Sequence, residues 1–174
     1  MAKLCWQNQD AVREQLSVTE EDWLFDRGSL TKRLMKLSHG NLTLEILSEA
    51  KQFLREDEYQ YLDISPSQPQ WVREVILKGN NVPWIYARSI LIAPHEHQDN
   101  PTSFIHTGKQ PLGFILFDKA NFERSFIEVT RYAKENLPLK YSYAELWARR
   151  SCFKNEQQIA FVQEVFLPDL WKIV

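Results

Sequence analysis

Two β-rich segments constrain this chain most: residues 71–78 (WVREVILK) and 82–92 (VPWIYARSILI), separated by Gly79-Asn80-Asn81. β-Branched and aromatic residues suit a pleated surface, and the three residues between them tolerate positive φ, so a tight β-hairpin is predicted. A second pair, 145–153 (ELWARRSCF) and 159–167 (IAFVQEVFL), is joined by a polar turn at 154–157. Neighbouring strands with short polar turns imply antiparallel pairing. Helical patterns accompany them. Thr19 puts a capping hydroxyl ahead of Glu20, Glu21 and Asp22, and Ser29 can cap a second helix with Leu30, Leu34 and Leu37 on one side and Gly40 as its stop. Residues 42–47 (LTLEIL) alternate like a strand, 65–70 (SPSQPQ) form a loop, and a long polar connection over 94–110 leads to 111–117 (PLGFILF). A further helix is expected from about Asp118, its N-cap, because Phe122, Phe126, Val129 and Ala133 recur at spacings of four, three and four before Pro138 ends it. The fold class is α+β: a single antiparallel β-sheet with flanking helices.

At 174 residues, 44% of them hydrophobic, residues 1–174 are expected to form one domain that buries roughly 70% of its unfolded surface. With 21 basic and 23 acidic residues the net charge is −2, which argues against nucleic-acid binding through a general positive field. Cys5 and Cys152 lie far apart with no CxxC or Cys/His spacing, so no disulfide framework or zinc site is indicated and a reducing cytoplasm fits. The first residues lack a signal-like apolar stretch, and no apolar run is long enough for a bilayer, so a soluble, cytoplasmic protein without membrane insertion is expected.

Charges interrupt apolar strand faces. Strands alternate sides, so Arg73 shares a face with Trp71, Val75 and Leu77, and Glu164 shares one with Ala160, Val162 and Phe166. If these faces look inward, both charges are partly buried, and an unpaired buried charge costs several kcal/mol. Arg73 and Glu164 must then meet each other, other protein groups, or a ligand; alternatively Glu74 and Gln163 are the inward residues. A ligand reading calls for a carboxylate on the planar guanidinium and a hydroxyl on the glutamate. Arg88, between Tyr86 and Ile90 on its face, and the adjacent Arg149 and Arg150 raise the same question. Adjacent strand residues serve opposite faces, so at most one of Arg149 and Arg150 points into any pocket.

Other chemistry has less support. His95, His97 and His106 fall in a polar loop without spaced carboxylates, which reads as solvated histidines. Cys152, beside Phe153 in an apolar stretch, reads as an inert thiol. There is no GxSxG, phosphate-cradling loop or dinucleotide fingerprint.

In order along the chain, residues 26–34 (DRGSLTKRL), 71–77 (WVREVIL), 84–89 (WIYARS), 111–117 (PLGFILF), 146–153 (LWARRSCF) and 164–168 (EVFLP) resemble the chorismate pyruvate-lyase family over about residues 20–168. The resemblance implies an enzyme, a carbon–oxygen lyase, that converts chorismate to 4-hydroxybenzoate and pyruvate, the entry step to ubiquinone in many bacteria, with no cofactor or metal. It also implies an enclosed site on an antiparallel sheet. Arg73 matches the family's arginine for the ring carboxylate, Glu164 its glutamate for the ring hydroxyl, and Leu30 and Leu112 match positions whose backbone amides contact the ligand. A methionine also occurs at the position of Leu30. Residues 1–19 and 94–110 align with no motif. A second cation for the leaving enolpyruvate is expected among Arg88, Arg149 and Arg150. The partners implied are chorismate and 4-hydroxybenzoate, with no nucleic acid, and a monomer is the expectation. The competing reading is a non-catalytic domain sensing small aromatic acids, since related folds serve as effector-binding halves of transcription regulators. Roughly 20 residues before the first matching segment and six after Pro168 are too few for a helix-turn-helix module.

Overall fold

The computed structural model describes residues 4–92, 110–118, 122–141, 143, 145–156 and 158–174. Both predicted hairpins form. Strand β2 (Gln70–Gly79) returns as β3 (Val82–Ile92), with Gly79 paired to Val82. Asn80 and Asn81 carry the turn at φ 51° and 65°, the left-handed conformation that asparagine tolerates and a two-residue hairpin requires. Gly79 is needed for a different reason: a Cβ there would lie 1.9 Å from the Trp84 ring. The second hairpin joins β6 (Leu146–Lys154) to β7 (Ile159–Phe166).

The hairpins meet where β3 pairs with β7. With β1 (Leu42–Gln52), β4 (Glu123–Arg124) and β5 (Glu128–Tyr132) they make a seven-stranded sheet of order β1-β2-β3-β7-β6-β4, with β5 also on β6. Every pairing is antiparallel.

Among the described residues six α-helices accompany the sheet: α1 (Gln9–Val12), α2 (Val18–Leu24), α3 (Leu30–Leu37), α4 (Glu56–Leu62), α5 (Leu112–Asp118) and α6 (Pro168–Trp171). One face is packed by Trp23 and Leu24 of α2, Leu30 and Leu34 of α3 and Leu170 of α6 against Val75, Leu77, Ala87 and Phe166. Ser29 caps α3 through Lys32 N–H, as predicted, and Gly40 follows it at φ +88°. The cap of α2 is Ser17, not Thr19. Ser17 Oγ accepts from Glu20 N–H (3.2 Å) while the Glu20 carboxylate accepts from Ser17 N–H (2.8 Å), so Thr19 lies inside the helix.

The helix expected from Asp118 does not form; α5 ends at that residue. The 4-3-4 spacing is no helical face, because Phe126 is 86% exposed whereas Ile127 and Val129 are buried. These two obey the two-residue period of extended chain, and β5 gains a ladder against β6, from Glu128 opposite Arg150 to Tyr132 opposite Leu146. Tertiary pairing overrides the helical spacing.

The second face is also covered. Glu58 of α4 is fully buried and accepts two hydrogen bonds from Arg88 (2.7 and 3.0 Å) and two from Arg55, one from its guanidinium (2.7 Å) and one from its backbone N–H (2.9 Å). Arg55 also donates to the Tyr132 hydroxyl (2.6 Å) and to Gln163, and Arg88 reaches Glu74 at 2.9 Å. No helix among the described residues is long and apolar enough to cross a membrane.

Two outcomes are expected. Gly79→Ala forces the Trp84 ring or the turn to move and costs about 1–3 kcal/mol, readable as a lower urea midpoint; an unchanged midpoint refutes the close-approach argument. For Glu58, burial alone would raise the carboxyl, but hydrogen bonds from Arg88 and the charges of Arg55 and Arg88 outweigh it and hold the pKa below its ordinary 4.5. Its stabilisation is therefore present above that value and lost as pH falls through the folded-state pKa. Glu58→Gln should cost about 3–5 kcal/mol at neutral pH by leaving buried guanidiniums uncompensated, and should flatten the acid loss of stability. Identical pH slopes in both proteins would contradict this.

Candidate active site

Alternation along the strands places Arg73 of β2, Arg149 of β6 and Glu164 of β7 on the sheet face covered by α2, α3 and α5. There they line a cavity that is partly open to solvent. The strand between β2 and β7 explains the hollow. Across β3 the residues in register are Ser89, opposite Arg73 and Val162, and Ala87, opposite Val75 and Glu164. These two small side chains leave the space between the guanidinium and the carboxylate unfilled. Val75, Leu77, Leu116, Phe153 and Val162 supply apolar walls, the usual mixture for a small-molecule site.

The cavity charges are held from behind. Arg73 is 3% exposed; its Nε lies 3.4 Å from Glu49 and its Nη1 donates to the Gln110 carbonyl (3.2 Å). Burial lowers the Arg73 pKa and Glu49 partly restores it. Glu164 accepts from Arg149 Nε at 2.6 Å, and its side chain keeps 16% exposure. Arg149 is 1% exposed and donates through Nη1 to the carbonyls of Trp23, Leu24 and Asp26 (3.0–3.4 Å). Thus Arg73 and Glu164 each have a different protein partner, and the pairing of these two with each other does not occur. The alternative in which Glu74 and Gln163 are the inward residues does not hold as posed, because both faces are covered: Arg73 and Gln163 are both buried.

Leu30 and Leu112 are the first residues of α3 and α5 and both border the cavity. First-turn amides have no intrahelical carbonyl to bind, so both helix starts present donors at this end of the site. Gly113 brings them together: a Cβ there would lie 2.4 Å from Thr31 Oγ1.

Arg88 and Arg150 stand apart from this site. Their strand positions send them to the opposite face, where Arg88 pairs with Glu58 and Glu74. Arg150 pairs with Glu128 at 2.9 Å and lies against the rings of Trp6 and Tyr61. The sequence reading missed Arg124, which lines the cavity from β4 and was hidden by the helical spacing assigned to its segment. Cys152 is half-buried with its thiol pKa pushed up by burial. His95, His97 and His106 lie outside the described residues. Among the described residues no group of three or more His, Cys, Asp and Glu could hold a metal.

The antiparallel sheet thus carries a helix-covered cavity lined by three guanidiniums and one carboxylate. Comparison with known proteins makes the class specific. The family model for chorismate lyase matches residues 1–174. The chain is 43% identical over 166 residues to "Probable chorismate pyruvate-lyase" of Pseudomonas aeruginosa strain UCBPP-PA14, covering 95% of this chain and 92% of that one. It is 40% identical over 169 residues to the protein of the same name from Pseudomonas putida, covering 97% and 92%. This chain belongs to the chorismate lyase family and is a lyase. Among solved structures, the C-terminal domain of the histidine utilization repressor from Pseudomonas syringae pv. tomato matches at TM-score 0.52 and 11% identity, covering 74% of this chain and 92% of that one, a likeness of fold alone.

Arg149→Met leaves Glu164 without its partner and removes the Arg149 donor from the carbonyls of Trp23, Leu24 and Asp26, and is expected to cost about 3–5 kcal/mol. Combined with Glu164→Gln, the loss should fall short of the sum of the single losses by about 1–3 kcal/mol. Strict additivity in urea denaturation would mean that the pair is not coupled.

Proposed function

We propose that the cavity binds chorismate and releases pyruvate to leave 4-hydroxybenzoate, the reaction that opens ubiquinone synthesis in many bacteria. The observation that carries this reading is the placement of Arg73 and Glu164 on either side of β3, where the two residues in register with them are serine and alanine. In this assignment Arg73, with the amides of Leu30 and Leu112, takes the ring carboxylate, and Glu164 orients the ring hydroxyl. The geometry suits a substrate with an acid at one end and a hydroxyl at the other. Aromatisation makes the overall step strongly downhill, so positioning and charge stabilisation are the main demands on the protein. Neither a cofactor nor a metal is required in this scheme, and a cytoplasmic setting fits the substrate.

Substrate and product share the carboxylate and the hydroxyl. The apo protein is therefore expected to bind 4-hydroxybenzoate and to be inhibited by it, with slow release from a largely covered site.

Incubating the purified protein with chorismate should yield pyruvate and 4-hydroxybenzoate in equal amounts. Arg73→Ala should cut kcat/KM about 100-fold, the loss of about 3 kcal/mol expected for charge-assisted hydrogen bonds to a buried carboxylate. Binding without turnover would instead favour a sensing domain, and neither binding nor turnover at millimolar ligand would leave the cavity charges as structural ion pairs.

A further inference from the structure

We infer that Arg124 receives the second carboxylate of the substrate, the one on the enolpyruvyl group that leaves, a step that rests on the chorismate-cleaving reading above. Arg124 lies on β4 opposite Phe153 of β6, so its side chain enters the cavity from the side away from Arg73. Four strand steps separate β2 from β4 along the sheet, roughly 19 Å between backbones at the usual inter-strand spacing. Glu164 of β7 lies between them. A ring held by its carboxylate at Arg73 and by its hydroxyl at Glu164 has its ether side chain, on the carbon next to the hydroxyl, at the Glu164 end, the end nearer Arg124.

The partners of Arg124, which is half-buried, distinguish it from the buried arginines Arg73, Arg88, Arg149 and Arg150. Arg73 has Glu49, Arg149 has Glu164, Arg88 has Glu58 and Glu74, and Arg150 has Glu128. Arg124 is held only by neutral groups: Nε donates to Ser151 Oγ (3.0 Å) and Nη1 to the carbonyls of Asp26, Arg27 and Gly28 (3.0–3.4 Å). The guanidinium carbon lies 5.0 Å from the ring centre of Phe153 and 5.9 Å from that of Phe117. Among the described residues no carboxylate is within ion-pair distance, and Nη2 has no hydrogen-bond partner. Burial and the positive charge of Arg149 push the Arg124 pKa down to about 10, so the group remains a cation near neutrality but an electrostatically unfavourable one. An anion beside it relieves that cost. Of the three guanidiniums that line the cavity, Arg73 and Arg149 are balanced by Glu49 and Glu164, which leaves Arg124 as the cation without a carboxylate among the described residues.

The chemistry gives this contact a role. The bond between the ring carbon and the ether oxygen breaks, and its electron pair leaves with the enolpyruvate. The C–H bond on the hydroxyl-bearing carbon gives its pair to the ring, completing the aromatic system. The proton ends on the enolpyruvate methylene, which becomes the methyl group of pyruvate, with no net oxidation. A cation fixed at the leaving carboxylate orients the ether and offsets the charge that develops on its oxygen.

The test separates substrate from product, because 4-hydroxybenzoate lacks the second carboxylate. Arg124→Met keeps the stem against Phe117 and Phe153; it should lower kcat/KM for chorismate about 100-fold while changing the 4-hydroxybenzoate Kd less than 3-fold, and Arg124→Lys should recover part of the loss. A kcat/KM within 3-fold of the parent overturns the inference. So does a parallel loss of product affinity, which would make Arg124 only a clamp for residues 26–28. On the unaltered protein, 3-(carboxymethoxy)-4-hydroxybenzoate should bind at least 10-fold more tightly than its primary amide; equal affinity overturns the assignment whether or not the variants fold. An unaltered protein that releases no pyruvate from chorismate defeats the underlying functional reading instead, and this inference with it.

Discussion

The contact on which most of the site depends is the ion pair between Arg149 and Glu164. It joins β6 to β7 in register, fixes the carboxylate that borders the cavity, and holds the carbonyls of Trp23, Leu24 and Asp26 where the chain leaves α2 for α3. The start of α3 then forms one wall, and Gly113 lets the start of α5 approach it. A buried pair of this kind gives little net stability over an apolar substitute. Its value is geometric, since one guanidinium ties two strands and a helix entry to one position.

The sheet uses its two faces for different purposes. On one, small residues of β3 leave a hollow edged by charge. On the other, Arg55, Glu58, Glu74 and Arg88 are joined in a chain of ion pairs. Adjacent residues in one strand thus take opposite assignments, Arg149 toward the cavity and Arg150 toward Glu128. The same rule separates Ala87 from Arg88.

Much of this was legible in the residues. Period-two alternation, with the Gly-Asn-Asn turn in one and a polar turn in the other, specified both central hairpins, and the lone charges on apolar faces marked Arg73 and Glu164. Alternation also required Arg149 and Arg150 to diverge, but it could not say which one faced the cavity, because that depends on which helices cover which face. Arg124 was not legible for a related reason. Its two-residue strand is too short to show a period, and the nearby phenylalanines imitate a helical one. Strand identity there comes from pairing with β6, a contact between residues about 30 positions apart in the chain. The partners of Arg73 and Glu164 were unreadable too, since Glu49 and Arg149 reach them only through sheet order.

The seam between β3 and β7 has a consequence for how the molecule assembles. Each hairpin closes a short loop and can form early, whereas the seam joins segments about 70 residues apart and must offset a larger loss of chain entropy. Arg73 belongs to one hairpin and Glu164 to the other, so neither hairpin carries a binding site alone. A small molecule that bridges the two residues binds the joined sheet and not its separated halves, and by mass action it adds its binding free energy to the least local step of folding. Recognition of the ligand and closure of the sheet thus draw on the same contacts.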